Sequence, residues 1–475
     1  MKNSLLSRTV IAKLLFVAAV WCAREMAAAD FPAPKNAGDP AKLGLNIQRA
    51  MTLLATSTPE HRNTVRVLFY GQSITEQDWW KIVADDLKHR FPNANLIIEN
   101  RALGGYASQL LVKTAETDLY PFYPDLLIFY VYGAHDQYEN IIRRTRERTT
   151  AEILIQTDHA TADDQQNEET DPAKIQISGK VWNSFMNYKF LPGIVTKYEC
   201  GMVDQRNLWK QYLKDQNISA PKLLRDGVHL NAHGCYLMAE FAKAYLIHRD
   251  DAKLDPMNCA TVKTFSAGSP QLAWKDGKLV LEFEGNRIDA VFSEGSGSAA
   301  TILIDGKKPS KIPELYGFTR ALPKPGSKWP AVANLKSNEL LQLEDWTLHA
   351  KKDAANPKVY SFALSGSLTG PDGEGRSDQK FVSKSGRIVI DPACWDVEFA
   401  LMLAGVKPAP EEFSASWKVV LHFVDEVTAP LLKDKSIENV VTLAQGLANG
   451  KHTIEISGGS GTLISALRVY CPPTK

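Results

Sequence analysis

The chain has 475 residues, a formal net charge of +1, and 44% hydrophobic and 23% charged residues. These are the proportions of an ordinary globular protein, with length enough for two domains. So balanced a charge excludes a partner held by a broad basic face, nucleic acid above all.

At the N-terminus, Lys2, Arg8 and Lys13 accompany an apolar run from Leu14 to Ala23, and Ala27-Ala28-Ala29 ends in a small-x-small site. This predicts a signal peptide over residues 1–29, cut before Asp30 and too short to anchor in a bilayer. The expected location is periplasmic or extracellular. Trp21 before Cys22 argues against lipidation there, and no later stretch is apolar enough for a membrane span. Cleavage would leave Cys200, Cys235, Cys259, Cys394 and Cys471, an odd count. Export permits disulfides. The first pair expected is Cys259 with Cys471, at the two ends of the second domain. The cysteine spacing is not that of a zinc site.

Residues 30–64 read as a Pro-containing leader with a short helix around Leu45 to Leu54. From Val65 strands and helices alternate. Apolar runs at Val65–Tyr70, Asn95–Ile98, Leu126–Val131 and Ile153–Ile155 predict four strands. Trp80, Val83, Ala84 and Leu87 recur at helical spacing, and Ala232 through Leu246 reads as a closing helix. This pattern predicts a parallel sheet covered on both faces, a three-layer α/β/α domain over 65–254.

Beyond about Asp250 the texture changes. Leu279, Leu281 and Phe283 alternate with Val280 and Glu282 behind an Asp276-Gly277 hairpin signal. Short strands follow at Thr301–Ile304, Trp417–Leu421, Thr453–Ile456 and Leu467–Tyr470, with a flexible turn at Ser293–Ser298. Residues 255–475 are expected to form an all-β sandwich with a long insertion between Lys308 and Ser414.

Two short strings carry chemistry. Gly71-Gln72-Ser73-Ile74-Thr75 follows the first strand, which puts a serine at the carboxyl edge of the sheet, where α/β proteins build their sites. Asp226-Gly227-Val228-His229 offers a base and a carboxylate to orient it. Serine, base and orienter are the parts of nucleophilic acyl transfer, which needs no cofactor.

At these residues the chain resembles the SGNH hydrolases, the GDSL-type lipase and esterase superfamily. The resemblance runs from about Val65 to Leu246, through four short blocks. Gly71-Gln72-Ser73 stands for the first, with Gln72 replacing an aspartate. Asn100-Arg101-Ala102-Leu103-Gly104-Gly105 is similar to the second, and Asp226-x-x-His229 matches the last. The resemblance implies Ser73, Asp226 and His229 as catalytic residues. It implies an oxyanion hole from the N–H groups of Ser73 and Gly105. The third block departs: Gly133-Ala134-His135-Asp136 has His135 where the family carries an asparagine. A neutral imidazole has one N–H and can serve as the third oxyanion donor. Gln72, Asp136 and His159, the last just past the fourth strand, are the candidate substrate contacts.

Segments such as Phe283–Asp289, Ile304–Lys307 and Gly450–Ile456 resemble the jelly-roll modules found beside some carbohydrate acetyl esterases. Trp329, Trp346 and Trp395 could stack on sugars, although core packing is the commoner role. The expectation is a secreted serine esterase acting on O-acyl groups, O-acetyl in particular, of a polysaccharide. The alternatives are a catalytically silent carbohydrate-binding protein and a lipase or small-ester hydrolase. His229 and His233, four apart, lack an evident third ligand, so no metal is expected. The Arg143, Arg144, Arg146 and Arg148 run and the acidic Asp163, Asp164, Glu168, Glu169 and Asp171 loop are expected to be solvated.

Overall fold

A computed structural model describes residues 31–176, 182–324 and 327–474. The expected signal peptide lies outside the described residues. Helix α1 (Gln48–Ala55) leads into strand β1 (Thr64–Gly71), the short helix α2 (Ser73–Glu76) and helix α3 (Trp79–Arg90). Strand β2 (Asn95–Asn100), helix α4 (Ser108–Asp118), strand β3 (Leu126–Tyr130), helix α5 (His135–Arg148) and strand β4 (Glu152–Gln156) follow. After helical segments over 182–198 come strand β5 (Gly201–Val203), helix α6 (Gln205–Gln216) and helix α7 (Ala232–Tyr245).

The five strands form one parallel sheet in the order β2-β1-β3-β4-β5. Alternate residues of β1 serve opposite faces, as the period of a strand requires. Val65, Val67 and Phe69 join a core with side chains of α1, α3, α6 and α7, while Leu68 and Tyr70 join another with α4 and α5. Burial on both faces is why these strands read as continuous apolar runs. The chain leaves β1 on one side toward β2 and returns on the other to β3, so the strand order reverses between β1 and β3. Such a switch point opens a crevice at the carboxyl ends of the strands.

An antiparallel β region follows, with two large sheets over separate cores and a two-stranded pair, Phe381–Val382 with Val389–Ile390. In the first, the spatial order is Glu426–Ala429, Ser296–Ile304, Asn439–Ser457, Lys278–Phe292, Ile464–Tyr470 and Val262–Ser266. Asp276 and Gly277 both adopt left-handed φ (49° and 74°), the two-residue turn expected there. The second sheet orders Tyr316–Phe318, Glu412–Leu421, Asp345–Lys352, Tyr360–Gly366 and Gly370–Arg376. The stretch from Lys308 to Ser414, expected as an insertion, therefore supplies most of a second sheet. It also supplies helix α8 (Val397–Leu403).

Two further expectations are corrected. Cys259 is a free thiol whose Sγ lies 3.5 Å from Thr261 Oγ1, so the Cys259–Cys471 bridge is not formed. The acidic loop is not simply solvated. Glu168 is half-buried and held by Arg206 (2.5 and 2.6 Å) and Lys210 (2.9 Å), and Asp163 accepts from Ala220 N at 2.7 Å. A charge partly out of water needs pairing, and two cations do this. Among the described residues no helix is long and apolar enough to cross a membrane.

Candidate active site

The nucleophile end of the crevice starts with a glycine that only a glycine could replace. A Cβ at Gly71 would collide with the Tyr130 carbonyl oxygen and Thr75 Oγ1. That close approach lets β1 end tight against β3, and Thr75 Oγ1 donates to Tyr130 O at 2.9 Å. Gln72 is extended (φ −117°, ψ −153°), and the chain turns into α2 at Ser73. Ser73 is thus the first residue of a helix, where backbone N–H groups have no intrahelical acceptor. Its own N–H has no acceptor among the described residues.

His229 Nε2 lies 3.0 Å from Ser73 Oγ. Its other nitrogen, Nδ1, faces both Asp226 oxygens, at 3.1 and 3.0 Å. Asp226 Oδ1 also accepts the backbone N–H groups of His229 (2.8 Å) and Val228 (2.9 Å). Those two bonds, followed by the His229 ring, hold the Asp226 carboxyl well below the usual carboxylate range. The orienter is therefore ionised throughout neutral and mildly acidic pH. An anion against Nδ1 keeps the proton on that nitrogen and leaves Nε2 bare to receive one from Ser73. The side chains of His229 and Asp226 are 31% and 49% exposed, so the pair stands at an open rim rather than in a closed tunnel.

The second block closes the other side. Leu103 N donates to Gly71 O at 3.0 Å, and Gly104 N donates to Glu76 Oε1 at 2.6 Å. Both bonds tie this loop to the segment carrying Ser73. The next N–H, that of Gly105, has no acceptor among the described residues. Gly105 has φ +81°, and a Cβ there would lie 2.9 Å from Leu403 Cδ2 of α8. The β region also reaches this loop from above. Trp329 Nε1 donates to Gly104 O at 2.8 Å, and Lys328 pairs with Glu76.

His135 begins α5, beyond the carboxyl end of β3. Its ring sits among Phe190 (4.7 Å between centroids), Phe185 (5.0 Å) and Trp182 (5.7 Å). Burial lowers its pKa, against the opposing charge of Asp136, so the ring is neutral at pH 7. Nε2 is shut off from solvent without a hydrogen-bond partner.

The three expected substrate contacts fare differently. Asp136 is exposed in the first turn of α5, with Oδ2 accepting from Gln137 Nε2 at 2.9 Å. Gln72 is 3% exposed, and its Nε2 is closed off from solvent, so it lies beneath the crevice and not on its surface. His159 is 4% exposed and has no free ring nitrogen: Nδ1 faces Tyr130 OH (3.2 Å) and Nε2 faces Val228 O (2.9 Å). The Asp226–His229 loop folds across the end of β4 and covers it, so His159 serves the protein and not a ligand.

Some residues at the site gave no signal in the sequence. Glu76, Gln77 and Lys328 are ordinary polar residues whose partners lie elsewhere in the chain, and Trp329, noted above for sugar stacking, instead bonds the second-block loop. Of the other expectations, His233 is not paired with His229. Its Nε2 meets Tyr212 OH at 2.7 Å and its ring stacks on Phe31 at 4.3 Å. Among the described residues no group of three or more His, Cys, Asp or Glu is arranged to hold a metal ion. Trp346 is fully buried in the second β core. The arginine run is engaged rather than free: Arg144 and Arg148 share Glu116, and Arg143 pairs with Glu147.

No family model matches the chain, and no curated protein does. Among solved structures it is similar to a two-domain esterase active on acetylated mannans, at 13% identity and a TM-score of 0.33, over 91% of this chain and 97% of that one. It is similar to the acetylxylan esterase Axe2 from Geobacillus stearothermophilus at 16% identity and a TM-score of 0.33, over 40% of this chain and 96% of that one. A third is the acetyl xylan esterase AlAXEase, at 19% identity and a TM-score of 0.31, over 38% and 98%. At such scores none of these likenesses decides what the chain does. The site geometry has to.

Proposed function

We propose that the chain is an SGNH-type serine ester hydrolase that removes O-acyl groups, O-acetyl in particular, from a polysaccharide outside the cytoplasm. The observation that carries this reading is the continuous line from Ser73 Oγ through His229 (3.0 Å) to Asp226 (3.0 Å). A hydroxyl is a weak nucleophile at neutral pH unless a base in hydrogen-bond reach takes its proton.

In the mechanism, Ser73 Oγ attacks the ester carbonyl as His229 Nε2 takes the hydroxyl proton. The N–H groups of Ser73 and Gly105, with His135 Nδ1, are the candidate donors to the tetrahedral oxyanion. Each such donor is worth ~10²–10³ in turnover. Collapse expels the sugar oxygen, which receives the proton from His229. A water molecule then gives a proton to Nε2 and attacks the acyl-serine, and acetate leaves with Ser73 restored. No cofactor enters the cycle.

The open rim supports a polymer over a lipid. Ligand pockets for drug-sized molecules enclose most of the ligand surface, whereas His229 and Asp226 stay accessible here. A short acyl group on a long chain suits that shape. The basic and apolar pattern of residues 1–29 supports export.

The test is acetate release from acetylated polysaccharides and from a small chromogenic acetate, comparing the protein with Ser73→Ala. Release should vanish in the variant while its circular dichroism is unchanged. Undiminished release would remove Ser73 as nucleophile, and no release by the unmodified protein would favour a binding protein on the same scaffold.

A further inference from the structure

The loop that carries the general base is closed by its own hydrogen bonds, Arg225 N to His229 O at 2.7 Å and the two backbone N–H groups on Asp226 Oδ1, but packs little against the rest of the protein. Arg225, Asp226, Gly227 and Val228 are all exposed, and a Cβ on Gly227 would meet nothing within 4 Å. A segment with so few buried contacts belongs to the easily opened part of a fold. Yet proton transfer from Ser73 requires His229 to be held within about 0.5 Å of its working position. Something outside the loop must supply that restraint.

Two side chains do so, one on each side of His229. On the far side, Gln77 makes two hydrogen bonds to the backbone of Leu230: its Oε1 accepts from Leu230 N (2.9 Å) and its Nε2 donates to Leu230 O (2.8 Å). A side-chain amide used this way imitates one rung of a β-ladder. Gln77 directly follows α2, and its own N–H donates to Ile74 O at 3.1 Å. The segment that carries the nucleophile therefore grips the backbone next to the base.

On the near side, Val228 O faces His159 Nε2 at 2.9 Å. A carbonyl can only accept, so Nε2 carries the proton and Nδ1 is bare. That bare nitrogen accepts from Tyr130 OH at 3.2 Å. Tyr130 ends β3 and His159 stands just past β4, so two neighbouring strands hold the loop by a buried relay of two hydrogen bonds. The ring of Trp209 lies 5.4 Å from His159, and Arg206 donates to His159 O at 3.1 Å, so the histidine is itself fixed.

We propose that Gln77 and His159 are positioning residues that set the Ser73–His229 distance, by holding the backbone at Leu230 and at Val228. The inference rests on the esterase reading. Neither residue touches substrate; both act through His229.

The experiment uses the full chain, a chromogenic acetate and the variants Gln77→Leu, Gln77→Glu, His159→Phe and His159→Gln. Gln77→Leu and His159→Phe should each lower kcat about 10- to 100-fold with KM within about twofold, as an ångström-scale misplacement does. Gln77→Glu keeps the acceptor for Leu230 N but turns an oxygen toward Leu230 O, and should lose a similar factor while preserving side-chain volume. His159→Gln retains a donor of similar reach and should recover most of the activity. Folded variants with kcat within twofold of the parent, or losses confined to KM, would overturn the proposal. Nuclear magnetic resonance of the His229 Nδ1 proton gives a readout apart from turnover. Hydrogen-bonded to Asp226, that proton should be sharp and far downfield in the parent and broadened in Gln77→Leu; an unchanged signal would overturn the proposal even if the parent hydrolyses no ester. In that last event the functional reading fails separately, because Ser73→Ala then has no activity to abolish.

Discussion

Replacing Asp226 with asparagine changes the catalytic line at one atom and leaves its frame standing. The asparagine oxygen can still accept from His229 N and Val228 N, which lie 2.8 and 2.9 Å from Asp226 Oδ1. The loop should keep its shape. The other carboxylate oxygen, 3.0 Å from His229 Nδ1, becomes an NH₂ group that donates where a proton used to be received. The oxygen that remains, 3.1 Å from Nδ1, already accepts two backbone N–H groups, so the new NH₂ tips the imidazole toward the tautomer with its proton on Nε2, which points an N–H at Ser73 Oγ and cannot act as base. In serine hydrolases that tautomer exchange lowers kcat about 10⁴-fold. At 1.36 kcal/mol per decade, this is ~5 kcal/mol of transition-state stabilisation. The assay is kcat and KM on a chromogenic acetate, with near-ultraviolet circular dichroism as the check on fold. Because the carboxyl is held well below its usual range, the ratio should stay flat across mildly acidic and neutral pH. An Asp226→Asn enzyme within tenfold of the parent would refute Asp226 as the orienter.

Two other perturbations probe the surroundings. Gly105→Ala forces a non-glycine residue to φ +81° and a methyl to within 2.9 Å of Leu403 Cδ2; the backbone alone costs ~1–2 kcal/mol. If the loop relaxes by moving the Gly105 N–H, kcat should fall toward the ~10²–10³ of a lost oxyanion donor, and full activity would show that this N–H is not used. The third concerns stability. Burial lowers the His159 pKa to about 4, from 6.5 for a free imidazole. Between those values the unfolded chain binds a proton that the folded one refuses, so this group's contribution falls as the pH drops from about 6.5 to about 4. At 1.36 kcal/mol per pH unit the loss is ~3 kcal/mol. Asp158 and Glu152, which burial raises to about 6 and about 7, change stability in the opposite sense. The clean measurement is therefore the difference between parent and His159→Gln by chemical denaturation at pH 7 and pH 4.5. The parent should lose ground to the variant at the lower pH; a constant difference would contradict a buried neutral His159.

What could be read in advance follows from how far apart the cooperating residues lie. Strands β1, β3 and β4 announce themselves because both faces are buried, which makes each a run of apolar side chains, and the partly buried edge strand β2 shows through Leu96, Ile97 and Ile98. Strand β5 is only Gly201-Met202-Val203, too short to leave a pattern. Ser73 and the Asp226–His229 string are legible because each carries its chemistry within a few residues. Gln77 is not, since a glutamine beside a turn is commonplace and its partner Leu230 is 153 residues away. His159 was visible as a polar residue at a strand end, a place that normally faces solvent. Its role reversed because a distant loop lies over it. The second β sheet was hidden for another reason: the strand Gly370–Arg376 holds three glycines and almost no apolar side chain, so it shows no alternation. Cys259 and Cys471 were paired from their places in the chain, and in the fold both flank Thr261, whose carbonyl accepts from Cys471 N at 2.9 Å. Backbone proximity alone does not direct two sulfurs at one another.

The dependence of the site on the second half of the chain is the least visible feature in sequence and the most physical in structure. The second-block loop ends in two adjacent glycines, which give its backbone little stiffness of its own. Its restraint comes from outside. Glu76 takes Gly104 N from the nucleophile side and is neutralised by Lys328, while Trp329 Nε1 takes Gly104 O from the other. Arg320 anchors the start of the loop, donating to Arg101 O at 3.1 Å and pairing with buried Asp118 at 2.8 Å. Leu403 fills the space that a side chain at 105 would have taken. Without the β region, Glu76 and Asp118 would lose Lys328 and Arg320, and for Asp118, which is buried, an uncompensated carboxylate is strongly destabilising. The α/β half carries Ser73, His229 and Asp226, and the β half fixes the loop that carries Gly105.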